Sequence, residues 1–411
     1  MTQGKSPVLG VTRFSVFNPR SHAWQATLKH QSVEDYEQYL FDDERLAARF
    51  RTFFDWAMPT YQSMQEDHPY RHIVQYSDNL PERWKLRLLA SAERFPVIAL
   101  HNVSEDSSLL RFFARLLAED PPKDGVFAWF RVDDDDVLPR NYLELVSRHI
   151  NPATVGYAVS LGRGLTALHA GDHLVDVREC HHRMFSAGQL YVCRYDHASG
   201  KVRSLGQVDH TTVDRKMPVI VDSRSIGYLW LRHQSQDTVF DRTARQAYAE
   251  ILADMSRHAK IADPTAYADL FPAMDEVLRR TAERDKEAPA VDSDVRLTDE
   301  GVAIPGEFVG GAVYRITYRL TCSTDARKTP ALLSVAVTGT NLDMTDSGLT
   351  WSRHEGVDWF VYLTPTPGDS SRQLLIQLPP GAAGDRIRAR TWHAGDASVS
   401  LNFLKMERLS A

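Results

Sequence analysis

The chain has 411 residues, enough for two domains and a large hydrophobic core. A hydrophobic content of 43% and a charged content of 25% are ordinary for a globular protein in water, and no window approaches the ~18 apolar residues of a membrane span. The formal net charge of −6 gives no reason to expect nucleic acid as a partner.

The cysteines and the N-terminal sequence bear on the compartment. Only three cysteines occur, in no metal-binding spacing, and a sparse, odd set is typical of a reducing compartment. The first residues lack the apolar stretch of a secretory signal. We therefore expect a cytoplasmic protein without a transmembrane segment.

Strand-like and helix-like segments alternate through the first 150 residues. Short apolar, β-branched runs predict strands, and apolar residues at helical spacing predict the helices between them. The predicted strands cover residues 8–17, 71–78, 96–100 and 126–132, and the predicted helices cover 42–65, 81–92 and 109–117, with Pro59 expected to kink or end the first helix. The alternation predicts a parallel, doubly wound α/β sheet, in which ligands bind at the carboxyl ends of the strands.

The fourth predicted strand ends in four consecutive carboxylates, Asp133 to Asp136. Four adjacent aspartates repel one another and do not all stay ionised in a half-buried site without a positive partner. A hard divalent cation is the best candidate, and a solvated acidic loop is the alternative. Asp78 lies at the tip of the second strand and is expected at the same edge of the sheet. Arg13, near the end of the first strand, forms either a structural salt bridge or a contact with a phosphate.

After residue 150, short strands joined by glycine- and histidine-rich turns predict mixed or antiparallel pairing. Strands are expected at 156–161, 174–177, 189–193, 218–221 and 225–231, one or two helical turns at 208–216, and helices at roughly 237–261 and 265–284. We assign residues 1–285 to one α/β domain and 286–295 to a polar linker. In residues 296–411, alternating apolar residues between Gly, Pro, Asn and Asp turns predict a β-sandwich.

Three stretches stand out together: Thr12-Arg-Phe14, a block that runs from Arg45-Leu and Arg49-Phe through Phe54, Pro59 and Gln62 to Asp78 and Leu80-Pro81, and the strand Phe130-Arg-Val-Asp-Asp-Asp-Asp136. They resemble the bacterial family called putative rhamnosyltransferases. The last stretch also looks like the Asp-X-Asp motif of glycosyltransferases with the GT-A fold. The resemblance covers roughly residues 8–235 and implies a GT-A-like domain that binds a nucleotide sugar.

The resemblance implies a set of donor-binding residues. In GT-A enzymes the first aspartate of the motif contacts the ribose or the sugar, a position that either Asp133 or Asp134 matches here. Arg131 precedes the motif and is expected to bind the donor together with these aspartates. Asp78 is expected at the uracil, thymine or ribose, with a plain turn residue as the alternative, and Arg13 at a phosphate.

The resemblance also implies a metal site and a catalytic base. The last aspartate of the motif binds Mn²⁺ or Mg²⁺ in GT-A enzymes, so Asp135 or Asp136 is the expected ligand. His233 follows a late strand and matches the position of a further ligand, although a surface histidine at a strand end is an equal alternative. Asp209 and His210 resemble the element that carries the base of inverting members, with Asp-His in place of Glu-Asp. Either residue is a candidate base, and helix capping is the alternative role of Asp209.

We therefore expect a metal-dependent, inverting glycosyltransferase that moves a sugar from a nucleotide-diphosphate donor to a glycan or glycolipid hydroxyl, in bacterial surface polysaccharide synthesis. The main alternative is a non-catalytic carbohydrate-binding protein, with structural Ca²⁺ at the four aspartates and Trp351, Trp359 and Trp392 stacking on sugar rings. A two-metal nucleotidyltransferase is disfavoured because no basic triphosphate loop is evident. The sandwich binds acceptor glycan, mediates assembly into a homo-oligomer, or braces the first domain.

Overall fold

The computed structural model describes residues 5–18, 32–203, 209–234, 236, 242–323, 329–394 and 397–410. The chain forms two compact units. The first comprises Met1–Ala167, Asp176–Thr238 and Met255–Arg280, and the second comprises Leu168–Val175, Val239–Asp254 and Thr281–Ala411. Within the described ranges, no helix has the length and apolar character needed to cross a membrane.

Most of the α/β region is organised around one eleven-stranded sheet. Its strands are β1 Val8–Arg13, β2 Tyr70–Tyr76, β3 Ile98–Asn102, β4 Val126–Arg131, β5 Asp136–Val137, β6 Ala158–His169, β7 Leu174–His181, β8 Gln189–Asp196, β9 Lys201–Arg203, β10 Val219–Arg232 and β11 Ala259–Lys260. The first four lie in the order β3–β2–β1–β4 and run parallel, which confirms the predicted parallel α/β sheet. Their carboxyl ends therefore meet at one edge.

The later strands pair antiparallel. β8 lies antiparallel to β4, β6 and β9, and β10 lies antiparallel to β5. The two strands expected at 218–221 and 225–231 form the single strand β10. The helical turns expected at 208–216 form a 3-10 helix, His210–Arg215, while residue 208 lies outside the described residues.

β1 is shorter than the predicted strand over residues 8–17. It ends at Arg13, and Ser15 takes a left-handed backbone conformation with φ of +47°. The apolar residues that follow the strand remain buried because they pack into the core from a loop. The ring of Phe14 lies 4.8 Å from that of Phe50 in an edge contact. The apolar run therefore indicates burial correctly along its length, but only its first part pairs as a β-strand.

The helices are α1 Val33–Leu40, α2 Asp43–Phe50, α3 Met58–Asp67, α4 Glu82–Arg94, α5 Leu109–Glu119, α6 Tyr142–Ser147, α7 Ala244–Met255 and α8 Asp275–Asp285. α2 continues into α3 through a π-helical segment, Arg51–Ala57, so the irregularity precedes Pro59. Pro59 lies in the first turn of α3, where its missing N–H is tolerated. α7 and α8 are shorter than the helices expected at 237–261 and 265–284, and residues 237–241 lie outside the described residues.

The C-terminal part contains two antiparallel sheets that enclose one hydrophobic core, which confirms the predicted β-sandwich. The strands are β12 Val295–Arg296, β13 Val302–Ala303, β14 Phe308–Val309, β15 Val313–Cys322, β16 Ala331–Thr338, β17 Thr350–Trp351, β18 Trp359–Leu363, β19 Arg372–Gln377, β20 Ala383–Thr391 and β21 Val399–Arg408. One sheet has the order β12–β21–β15–β19, and the other has the order β13–β20–β16–β18–β17, with β14 on β20. Trp359 packs partly against the shared core, whereas Trp351 at the sheet edge is 55% exposed.

Candidate functional site

The acidic turn, defined as Asp133 to Asp136, follows β4 at the carboxyl edge of the parallel strands. Val132 is buried, and its N–H donates to the carbonyl of Val11 at 3.1 Å, which continues the contact with β1. The N–H of Asp136 donates to the carbonyl of Asp133 at 3.2 Å and closes the turn. The four side chains have different partners, so the four carboxylates lie in different environments.

Asp135 faces His233 across 98 residues of sequence. Its Oδ2 lies 3.0 Å from Nε2 of His233, and both side chains are mostly buried. Burial raises the pKa of the Asp135 carboxyl, but the hydrogen bond from His233 and the charge of that ring outweigh it and hold the pKa below its usual range. The structure thus brings together two of the three residues proposed from the sequence to bind a metal.

Asp134 points to the other side of the turn, into the protein. Its side chain is 1% exposed and forms an ion pair with Arg49 of α2, whose side chain is 13% exposed. Burial raises the pKa of the Asp134 carboxyl, and the Arg49 guanidinium opposes that shift. The ion pair with Arg49 therefore holds the Asp134 carboxylate inside the protein.

Asp136 is part of the sheet. It forms the short strand β5 opposite Trp230 of β10, and the N–H of Leu231 donates a hydrogen bond to its side chain. Its Oδ1 is buried and has no hydrogen-bond partner among the described residues. Burial, reinforced by the negative charge of Asp135, raises the pKa of the Asp136 carboxyl well above its usual value.

Asp133, Arg131 and His210 form the open side of the turn. Nε of Arg131 lies 3.6 Å from Oδ1 of Asp133, and both side chains are partly exposed. The imidazole of His210, in the first turn of the 3-10 helix, is close enough for the charges of Arg131 and Asp133 to shift its pKa. Burial, aided by the positive charge of Arg131, lowers the pKa of His210, so the neutral ring that can accept a proton is favoured at pH 7.

Asp209 caps the 3-10 helix. Its Oδ1 accepts hydrogen bonds from the backbone N–H of Thr211 at 2.9 Å and from the Thr211 hydroxyl at 2.8 Å. These hydrogen bonds lower the pKa of the Asp209 carboxyl, which makes it a weaker base. The geometry therefore favours His210 over Asp209 for proton transfer.

The remaining two proposed donor-binding residues lie at the same edge of the sheet. Arg13 is the last residue of β1, in register with Gln75 of β2. Asp78 follows β2, accepts a hydrogen bond from Asn102 at 2.8 Å and lies 3.5 Å from Nζ of Lys85. Asp78 is thus part of a polar group at the ends of β2 and β3, which keeps its side chain at the surface.

The pair Asp135 and His233 fits a divalent cation. Two ligands at right angles around an ion, each at about 2.1 Å, lie about 3.0 Å from each other, which is the separation found here. No three His, Cys, Asp or Glu side chains of the described chain already form a metal-binding group. The pair would supply two ligands and leave the other positions to water and donor oxygens, as Mg²⁺ prefers.

Sequence reasoning missed Arg49 as a partner of the acidic turn. Arg45 and Arg49 are one turn apart on α2, and both reach into the protein. Nη1 of Arg45 donates to the Leu40 carbonyl at 2.9 Å and lies 3.5 Å from the hydroxyl of Ser15. The available signal was a pair of arginines at i and i+4 on a helix face that also carries buried Leu46 and Phe50, since buried cations need a partner.

Comparison with known proteins identifies a family. The model of the family described as "Putative rhamnosyl transferase" matches residues 7–245, more than half of the chain. The matched range contains the acidic turn, Asp209, His210 and His233. A search of curated protein sequences finds no match.

Solved structures give only distant similarities. A crystal structure of 4-diphosphocytidyl-2C-methyl-D-erythritol synthase is 10% identical, with 60% of this chain and 97% of that chain covered and a TM-score of 0.28. The inositol-1-phosphate CTP transferase from T. maritima is 13% identical, with 60% and 96% covered and a TM-score of 0.24. S. aureus TarS 1–349 is 9% identical, with 69% and 75% covered and a TM-score of 0.27. At TM-scores this low, none of them bears on the function of this chain.

Proposed function

Because this chain belongs to the family of putative rhamnosyl transferases, we propose that it is a metal-dependent glycosyltransferase that moves a sugar, with rhamnose as the first candidate, from a nucleotide-diphosphate donor to a hydroxyl of a glycan or glycolipid. The observation that carries the proposal is the pairing of Asp135 with His233 at the carboxyl edge of β4. The pair lies where ligands bind in α/β sheets and supplies one oxygen and one nitrogen ligand.

The donor would lie along this edge of the sheet. Asp78 at the end of β2 is the candidate contact for the nucleoside, and Arg13 at the end of β1 is the candidate contact for a phosphate. Asp133 and Arg131 lie on the open side of the turn, next to the proposed metal pair. Asp135 and His233 would hold a divalent ion, which when bound would supply positive charge to the leaving diphosphate. Asp134 stabilises the turn through Arg49 and does not contact the donor.

His210 is the proposed general base. The acceptor oxygen attacks the anomeric carbon, the bond from that carbon to the diphosphate breaks, and the hydroxyl proton moves to the neutral imidazole of His210. A single displacement of this kind inverts the anomeric configuration. Asp209 holds the first turn of the 3-10 helix through Thr211 and so positions His210. Synthesis of a bacterial surface polysaccharide is the process in which we place this reaction.

Donor and metal binding provide the direct test. Calorimetry with Mn²⁺ and a panel of UDP-, dTDP- and GDP-sugars should detect at least one donor that binds the wild-type chain only with the metal. Asp135→Ala and His233→Ala should each weaken that binding at least about tenfold, because one ligand is lost. Asp369→Ala, at an exposed loop position of the second unit, is the control and should bind as the wild type does.

Two results would contradict the proposal. Absence of binding for every sugar nucleotide in the panel would exclude the transferase reaction as stated. Unchanged Mn²⁺-dependent binding in both Asp135→Ala and His233→Ala would exclude the metal pair while leaving the reaction open. For the donor that binds, nuclear magnetic resonance of the product's anomeric proton decides between inversion and retention.

A further inference from the structure

Gln189 is the first residue of β8 and lies where β4 ends. It is in register with Arg131, and Tyr191 is in register with Trp129. Residues directly opposite each other, and residues two apart on one strand, share a face of the sheet. The Trp129 and Tyr191 rings stack at 5.0 Å on this face. Gln189 therefore continues the face toward the open edge of the sheet, beside Arg131.

The same face is covered by the element that carries His210. Val213 of the 3-10 helix packs in one hydrophobic cluster with Trp129 and Tyr191. At the start of this helix, Asp209 is close enough for its charge to act on Tyr191. Gln189 thus lies on the face that the 3-10 helix covers, directly opposite Arg131, whose charge also acts on the proposed base His210.

Half of the Gln189 amide has no partner in the part of the chain that the structure describes. The side chain is 2% exposed, and its Oε1 accepts a hydrogen bond from the Tyr191 hydroxyl at 2.8 Å. Its Nε2 is buried, and no atom of the described residues forms a hydrogen bond with it. Buried amide groups of this kind are rare in folded proteins because each costs stability. Among the described residues no acceptor lies within hydrogen-bond distance of Nε2, so a partner for this group from outside the protein would approach from the open edge beside Arg131.

We propose that Gln189 binds a hydroxyl group of the transferred sugar or of the acceptor sugar. A hydroxyl both donates and accepts, so it satisfies the amide in either of its two orientations. A site with a polar group reserved for one hydroxyl discriminates against sugars that lack it, because the amide is then left unpaired. This assignment rests on the proposed glycosyltransferase activity and adds a residue that selects its sugar.

The test compares two variants that differ only in the amide. Tyr191→Phe removes the hydroxyl partner and keeps Gln189, and Gln189→Leu/Tyr191→Phe removes both polar groups. Gln62→Leu is the opposite control, because Oε1 of Gln62 accepts the N–H of Val97 at 3.0 Å and its loss leaves that N–H unpaired. Thermal unfolding should place Gln189→Leu/Tyr191→Phe at or above Tyr191→Phe, and Gln62→Leu below the wild type.

Ligand binding then separates the two sources of the hydroxyl. Calorimetry with Mn²⁺ compares dTDP-rhamnose with dTDP and UDP-glucose with UDP. If the donor sugar supplies the hydroxyl, the double variant binds the sugar nucleotide about tenfold more weakly than Tyr191→Phe does and binds the nucleotide equally well. If the acceptor supplies it, donor binding and donor hydrolysis stay equal, and transfer to an alkyl rhamnoside or alkyl glucoside falls about tenfold.

Equal donor binding, hydrolysis and transfer in the two variants would overturn the role of Gln189. In that case a structural water would be the hydrogen-bond partner of its Nε2. A double variant that unfolds well below Tyr191→Phe would also overturn it, because the amide would then have a structural partner. Failure of the proposed function looks different. In that case the wild-type chain itself binds no sugar nucleotide, and the assignment of Gln189 fails with it.

Discussion

The ion pair between Arg49 and Asp134 should be essential to the stability of the acidic turn. Arg49→Met removes the charge and keeps most of the side-chain volume. Both partners are largely withdrawn from water, with exposures of 13% and 1%. Removal of one partner from a buried pair costs about 3–5 kcal/mol, because the other charge is left uncompensated. We expect the variant to lose stability in that range at pH 8.

The loss should shrink on acidification. Burial raises the pKa of Asp134 even beside Arg49, and without Arg49 only the weaker effect of the Arg45 charge opposes burial, so this pKa rises further above that of the unfolded chain, which is about 3.9. A carboxyl whose pKa is raised in the folded state destabilises the protein at high pH, and this effect disappears as the pH falls toward the unfolded pKa. The Arg49→Met variant should therefore recover up to about 1.4 kcal/mol per pH unit relative to the wild type below its own folded pKa.

Urea unfolding followed by tryptophan fluorescence at pH 8, 7, 6 and 5 would measure both effects. Arg83→Met is the matched control, because Arg83 pairs with Asp43 but both side chains are about 60% exposed. Breaking that exposed pair should cost at most about 1 kcal/mol, with little dependence on pH. Arg49→Met/Asp134→Asn should recover part of the loss and no longer respond to acid. If Arg49→Met unfolds like Arg83→Met at every pH, the turn does not depend on the buried pair.

Three further predictions concern the core and the base. Burial lowers the pKa of His72 to about 3, so the wild-type chain should lose stability as the pH falls below about 6.5, by up to about 1.4 kcal/mol per pH unit. In His72→Gln, the free energy of unfolding in urea should change less between pH 7 and pH 5. His210→Ala should lower kcat by about 10²–10⁴, whereas Asp209→Ala should mainly destabilise the helix start by about 1 kcal/mol. Because the pKa of His210 is lowered, the acid limb of the wild-type kcat/KM profile should lie below about pH 6.5. Gly164→Ala should destabilise by about 1–3 kcal/mol in thermal unfolding, since a Cβ there would lie 2.2 Å from the ring of Tyr228.

The layout of the fold follows from local sequence patterns. Alternating strand and helix signals predict the four parallel strands, and alternating apolar residues after residue 296 predict the sandwich. These patterns do not predict the backbone conformation correctly where apolar residues are buried in a loop and not in a strand or helix. The apolar residues after Arg13 suggest a longer β1, but a left-handed Ser15 turns them into a buried loop. Such a turn depends on contacts with distant residues such as Phe50, which sequence periodicity does not reveal.

The sequence predicts the position of the site, because that position follows from the end of a strand. It does not predict which partner each side chain of the site contacts. The position of the acidic turn follows from the end of an apolar run. The register of the motif does not, because four identical residues carry no internal signal. Long-range contacts distinguish them, since Asp135 meets His233, Asp134 meets Arg49 and Asp136 pairs with β10. The choice between Asp209 and His210 likewise depends on hydrogen bonds that only the folded 3-10 helix creates.

These contacts change the electrostatic argument that begins from four adjacent carboxylates. Arg49 already compensates Asp134, burial raises the pKa of Asp136 well above its usual value, and Arg131 lies beside Asp133. The turn therefore presents a divalent cation with much less negative charge than four aspartates suggest. Asp135 remains as the carboxylate with His233, the proposed second ligand, beside it. If the proposed metal site is right, two protein ligands and a nearly balanced turn would hold a hard cation weakly, and the oxygens of a diphosphate would complete both its coordination and its charge. Metal and donor would then bind together, and the protein alone would hold the ion loosely.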